Sequence, residues 1–202
     1  MAKKENVIFD SKAKLEYPVL EFKLQKDWEK WLEKNHSNFP GVWLRFYKKN
    51  SGKTGISYSQ ALDEALCFGW IDGQTKSVDE ESYLQKFTPR RSKSIWSKRN
   101  IEHIARLAKE GRMQPAGLKE VENAKSDGRW AKAYDSPANM TFPEDFLVAL
   151  SKNKKALEFF DSLNKVNKYA IGWRLQTAIK PETKQKRIKT IIEMLKNGEK
   201  FH

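Results

Sequence analysis

The sequence predicts an α+β protein: a small, mostly antiparallel sheet with two helices, followed by a helical C-terminal half packed against it. Three observations lead there. Val42-Trp43-Leu44-Arg45-Phe46-Tyr47 concentrates β-branched and aromatic residues, the composition of a pleated, half-buried strand. Tyr83-Leu84-Gln85-Lys86-Phe87 alternates with a period of two. Beyond Pro89 the patterns are helical throughout, each punctuated by glycine or proline.

In chain order, residues 1–14 are polar and expected to be flexible. Val19-Leu20-Glu21-Phe22 reads as a short strand. Asp27 is placed to cap a helix that carries Trp28, Trp31 and Leu32 on one face. A Pro40-Gly41 turn leads into the 42–47 strand, and Asn50 to Gly55 is a loop. Ser57 starts a second helix through Ala61, Leu62, Ala65 and Leu66, which Gly69 stops. Trp70-Ile71-Asp72-Gly73 reads as a short strand and a turn. Asp79-Glu80-Glu81 is a turn or loop before the strand at 83–87.

Ser97 caps a helix through Ile101, Ile104 and Leu107 that ends at Gly111. Pro115 opens the next, which stops near Gly128, and Pro143 begins a third through Phe146 and Leu150. Residues 155–163 and 167–178 are helical in pattern. Pro181 starts a last helix that ends at Gly198. This divides the chain into an α+β part over 15–90 and a helical part over 91–202, in two subdomains or one compact domain.

The totals bound the function. Charged residues make up 32% and the net charge is +13, so acidic partners are favoured: nucleotides, nucleic acid or small anions. The 39% of hydrophobic residues includes seven Trp and eleven Phe, enough large rings to build a core. One cysteine, Cys67, excludes an internal disulfide framework. No apolar run approaches the roughly 18 residues of a membrane span, and the first residues lead into no secretory signal; a cytoplasmic protein is expected.

The most informative stretch is Phe87 to Asn100. Between Lys86 and Lys109 stand eight basic residues against one acid, Glu102. A basic turn opening a helix combines guanidinium donors with helix-start amides, which together seat phosphate or carboxylate. Arg90, Arg91, Ser94, Ser97, Arg99 and Asn100 are the predicted anion contacts, with Trp96 stacking on a ring. Asp72, Arg129 and Trp130 are predicted to line the same cleft. The competing reading pairs Arg90 and Arg91 with Asp72, Asp79 or Glu80 and puts Trp96 in the core.

Two further readings stand beside it. An enzyme acting on a phosphorylated or carboxylated small molecule would use Asp72, or Cys67 with His103 as its base. A protein–protein adaptor would use exposed aromatic residues. No cofactor is indicated. With three histidines and no Cys–His spacing, no metal site is expected.

Several segments together resemble a known family. They are Ala61-Leu62-Asp63-Glu64-Ala65-Leu66-Cys67-Phe68-Gly69-Trp70-Ile71-Asp72-Gly73, Phe87-Thr88-Pro89-Arg90-Arg91, Ser94-Ile95-Trp96-Ser97-Lys98-Arg99-Asn100, Gly111-Arg112-Met113, Gln114-Pro115-Ala116-Gly117 and Asp127-Gly128-Arg129-Trp130. In that order they are similar to the bacterial YdeI/OmpD-associated family, also described as bacteriocin-protection proteins. The resemblance runs from about Trp28 to Gly198. It implies a link to bacteriocin tolerance, envelope stress or an outer-membrane porin, and brings no catalytic residues with it.

Overall fold

A computed structural model describes residues 16–202; the expectation for the N-terminal 1–14 lies outside the described residues. The described elements are α+β as predicted, in two compact units. One holds the described residues up to Ser94 together with Glu102–Gly128. The other holds Ile95–Ile101 and Arg129–His202.

The first unit is built on a four-stranded sheet. Strands β1 (Val19–Leu20), β2 (Val42–Tyr47), β3 (Trp70–Ser77) and β4 (Ser82–Pro89) lie in the order β1-β2-β4-β3. β1 pairs parallel with β2, through Val19 opposite Trp43; the other pairings are antiparallel, with Val42 opposite Phe87. β3 is longer than its sequence suggests. The predicted turn at Gly73 is a register shift between Asp72 and Thr75, after which the strand continues to Ser77. A bulge absorbs the extra residue without ending the pairing. The reversal falls instead at Asp79, whose carboxylate accepts the amides of Glu81 and Ser82 at 2.9 and 2.6 Å.

Helices α1 (Gln25–Asn35) and α2 (Tyr58–Cys67) bring the aromatic core together. Trp28 is wholly buried, with ring centroids 5.2 Å from Trp31, 6.3 Å from Trp70 and 6.0 Å from Phe87. Its indole N–H donates to the Ala61 carbonyl at 3.1 Å, so the ring's one polar atom is satisfied where it is buried. Ser57 and Gln60 form a capping box at the start of α2. The start of α1 departs from expectation. The N-cap is Leu24, which supplies no side-chain bond, and Asp27 lies inside the first turn. There its charge still complements the helix dipole.

Helix α3 (Lys98–Lys109) runs through both units' residue sets, and α4 (Pro115–Ser126) belongs to the first unit. Gly117 in α4 permits a backbone-close approach: a Cβ there would stand 2.8 Å from the Leu66 carbonyl oxygen and would overlap that of Cys67.

The second unit contains α5 (Glu144–Ser151), α6 (Lys154–Ser162), α7 (Lys165–Gln176) and α8 (Pro181–Lys196). Asn153 and Asn164 cap α6 and α7, so both helices begin slightly earlier than their apolar patterns indicate. Phe142, Phe146 and Phe160 meet edge-on or tilted at the centre, over Leu175, Ile188 and Leu195. No helix among the described residues is long and apolar enough to cross a membrane.

Candidate functional site

The basic turn divides between the two units. In the first, the Arg90 amide donates to the Gly69 carbonyl at 2.9 Å, and the residue is only 7% exposed. Such burial leaves a solvent-borne anion little access to its guanidinium. Arg91 is exposed. Its amide donates to Ser94 Oγ at 3.0 Å, while the Ser94 amide returns a bond to the Arg91 carbonyl at 2.8 Å. The hydroxyl therefore shapes the turn.

In the second unit, Trp96 is buried and lies 4.9 Å from Trp130, ring to ring. Backbone bonds bind the two segments: Tyr134 N–H to Trp96 O at 3.0 Å and Lys98 N–H to Tyr134 O at 2.9 Å. Ser97 Oγ accepts the Asn100 amide at 3.1 Å, the cap its sequence position predicts. The Lys98 and Asn100 amides at the start of α3 are thus taken by protein acceptors. Arg99 is exposed and Asn100 half-buried.

Just beyond this pair of segments lies a buried carboxylate. Asp135, 3% exposed, accepts from Lys98 Nζ at 2.6 Å, Thr141 N at 3.1 Å, Thr141 Oγ1 at 2.6 Å and Gln176 Nε2 at 2.7 Å. Burial alone would raise its pKa. The bonds from Lys98, Thr141 and Gln176 outweigh that and hold it well below the usual carboxylate range. Lys98, one of the eight basic residues between Lys86 and Lys109, is thereby paired.

Beside this network is a cavity of about 230 Å³, lined by Ile95, Arg129, Lys132, Tyr134 and Gln176, with Thr177, Ala178 and Ile179. Two of its walls carry cations and none carries a carboxylate. The sequence names Arg129 for a cleft together with Asp72 and Trp130. Lys132 and Gln176 are not named there, because they reach this cavity only where the loop after α4 meets the end of α7. The one usable signal was the basic and aromatic mixture Arg129-Trp130-Ala131-Lys132-Ala133-Tyr134.

Asp72 belongs to the first unit, whereas Arg129 and Trp130 belong to the second, so no single unit contains all three. Asp72 accepts the Tyr58 hydroxyl at 2.7 Å from within β3. Cys67 is 1% exposed; burial, reinforced by the Glu64 charge, pushes its thiol up to about 12 against an opposing effect of Arg112. At neutral pH it is a thiol, the unreactive form. His103 Nδ1 sits 2.9 Å from Asp63 Oδ1, an oxygen that also takes Arg106 Nη2 at 2.6 Å. Among the described residues no three His, Cys, Asp or Glu side chains gather where a metal ion could sit.

Residues 20–120 match the model of a domain of unknown function (DUF8412). Residues 139–198 match the family described as bacteriocin-protection, YdeI or OmpD-associated. No curated protein and no solved structure gives a significant match. The YdeI/OmpD-associated likeness is shown over residues 139–198.

Proposed function

We propose that this protein, which matches the YdeI/OmpD-associated family over residues 139–198, binds an anionic ligand in the cavity between Ile95, Arg129, Lys132, Tyr134 and Gln176. The observation that carries the reading is a concave site with two cationic walls and no acidic one. Cationic side chains on a concave wall give a bound anion a favourable Coulomb interaction. Gln176, whose amide is committed to Asp135 and Thr141, shapes the wall beside Tyr134.

Size narrows the ligand. A cavity of about 230 Å³ is below the roughly 300–1,000 Å³ typical of pockets for drug-sized molecules. It suits one phosphate or carboxylate group with a short stem, and so favours a phosphorylated small molecule over a whole nucleotide. Arg99, exposed and basic in the same unit, adds to the positive field that draws such a ligand. The proposal places this activity in the cytoplasm, where a single cysteine stays reduced. The enzyme reading has less support: Cys67 is a buried thiol and Asp72 is already hydrogen-bonded.

Calorimetric titration tests the reading, with glycerol 3-phosphate, inorganic phosphate and a short oligonucleotide as probes at two salt concentrations. Saturable binding of glycerol 3-phosphate is expected, weakened about tenfold in Lys132→Gln, since a charge-assisted bond contributes about 1.5–3 kcal/mol. A steep salt dependence with the oligonucleotide alone would transfer the function to nucleic acid. Flat titrations with all three probes would end the proposal.

A further inference from the structure

A second cavity in the same unit, of about 450 Å³, is lined by Trp173 and Arg174 of α7, by Thr183, Lys186, Arg187, Thr190 and Ile191 of α8, and by Phe201. Read along the sequence, Lys186 and Arg187 belong to the solvated face of the last helix and Trp173 to the core. Packing gives them another setting. Positions 183, 186, 187 and 190 follow one side of α8 turn by turn, and α7 supplies the facing wall.

Both guanidinium groups are held by neutral partners. Arg174 Nη1 donates to the Ala170 carbonyl at 3.0 Å, and its Cζ stands 3.8 Å from the Phe201 ring centroid. Arg187 Nη1 donates to the Arg174 carbonyl at 2.5 Å and to Thr177 Oγ1 at 3.3 Å. Phe201 is fixed in its turn, because Asn167 and His202 exchange two bonds, 3.0 and 3.2 Å. Arg174, Lys186 and Arg187 form no ion pair among the described residues. Three positive charges therefore face one cavity with no carboxylate on its wall.

We propose that this cavity binds a phosphate monoester carried on a flat ring, of mononucleotide size, with the dianion among Arg174, Lys186 and Arg187 and the ring against Trp173. Guanidinium groups held rigidly match phosphate oxygens in pairs, and Lys186 adds a mobile point charge. The Thr183 and Thr190 hydroxyls lie along the same helix face, within the cavity wall, as neutral donors. Trp173 is half-buried, so its indole has both support and access. The volume falls inside the range that holds a ring and its phosphate together, unlike the smaller cavity described above. The two sites share no residue, and either proposal can fail alone.

Calorimetry on the full chain decides the matter with adenosine monophosphate, adenosine and inorganic phosphate as probes. Adenosine monophosphate is expected to bind at least about tenfold more tightly than either fragment, since each half adds its own interaction. Lys186→Gln, an exposed position with little structural role, weakens adenosine monophosphate about tenfold. Trp173→Leu weakens adenosine monophosphate and leaves phosphate unchanged; circular dichroism confirms that each variant is folded. Equal affinity for adenosine and adenosine monophosphate, or wild-type affinity in Lys186→Gln, overturns the inference. Loss of nucleotide binding in Lys132→Gln with none in Lys186→Gln also overturns it, while leaving the smaller site standing.

Discussion

Replacing Asp135 by asparagine removes one negative charge from the most tightly hydrogen-bonded carboxylate of the second unit. Oδ2 accepts three bonds, from the Thr141 amide, the Thr141 hydroxyl and the Gln176 amide, and Oδ1 faces the Lys98 ammonium. Asn keeps one acceptor oxygen but turns an N–H₂ toward a group that is already a donor. Lys98 is 62% exposed, so its ion pair adds at most about 1 kcal/mol. The larger loss comes from the buried bonds, which become ordinary rather than charge-assisted. Together these give about 2–3 kcal/mol of destabilisation at neutral pH. If the chain unfolds as a whole, that lowers Tm by roughly 5–10 °C.

The pH dependence separates this cause from a packing defect. The native pKa of Asp135 is depressed, so its stabilisation is fully present above the unfolded value, near 3.9, and is lost as pH falls through the native value. The gap between wild type and Asp135→Asn should be constant from about pH 7 to 5 and narrow below about pH 4. Urea unfolding followed by circular dichroism at about pH 7, 5 and 3.5 measures it. A difference under about 0.5 kcal/mol at neutral pH, or one that stays the same at the lowest pH, would refute the assignment of the charge as the stabilising element.

Two further outcomes follow from the packing. Gly117→Ala should destabilise by more than about 3 kcal/mol, because its Cβ would press on the backbone carbonyls of Leu66 and Cys67, which belong to the end of α2 and cannot step aside. Gly172→Ala meets the Met140 thioether instead, a flexible tip that can move, and should cost about 1 kcal/mol; equal losses in urea titrations would contradict the distinction. Cys67 in the native protein should react with a thiol-selective disulfide reagent at about pH 8 no faster than global unfolding allows, because burial has pushed its thiol up to about 12. Stoichiometric labelling within minutes would show that the thiol is accessible.

Much of the fold was legible because local chemistry dictated it. Ser57 and Ser97 occupy their predicted caps, Gly69, Gly111 and Gly198 adopt the positive φ that follows a helix end, and the 42–47 run is a central strand. These features depend on neighbours within a few residues, so sequence reports them directly. The errors fell where a distant partner decides. Pairing with β4 carries β3 past Gly73, and Leu24 rather than Asp27 marks the start of α1.

The same divide runs through the functional residues. The charge excess and the basic turn could be read without coordinates, because they are matters of composition and order. Which cations are engaged and which face a cavity depends on the folded chain. Lys98 is claimed by Asp135, thirty-seven residues on, and Arg90 is buried, while Lys186 and Arg187 gain a shared wall with Arg174. Pairing, burial and concavity arise from contacts between remote segments, and a charge written along a chain carries no record of what folds beside it.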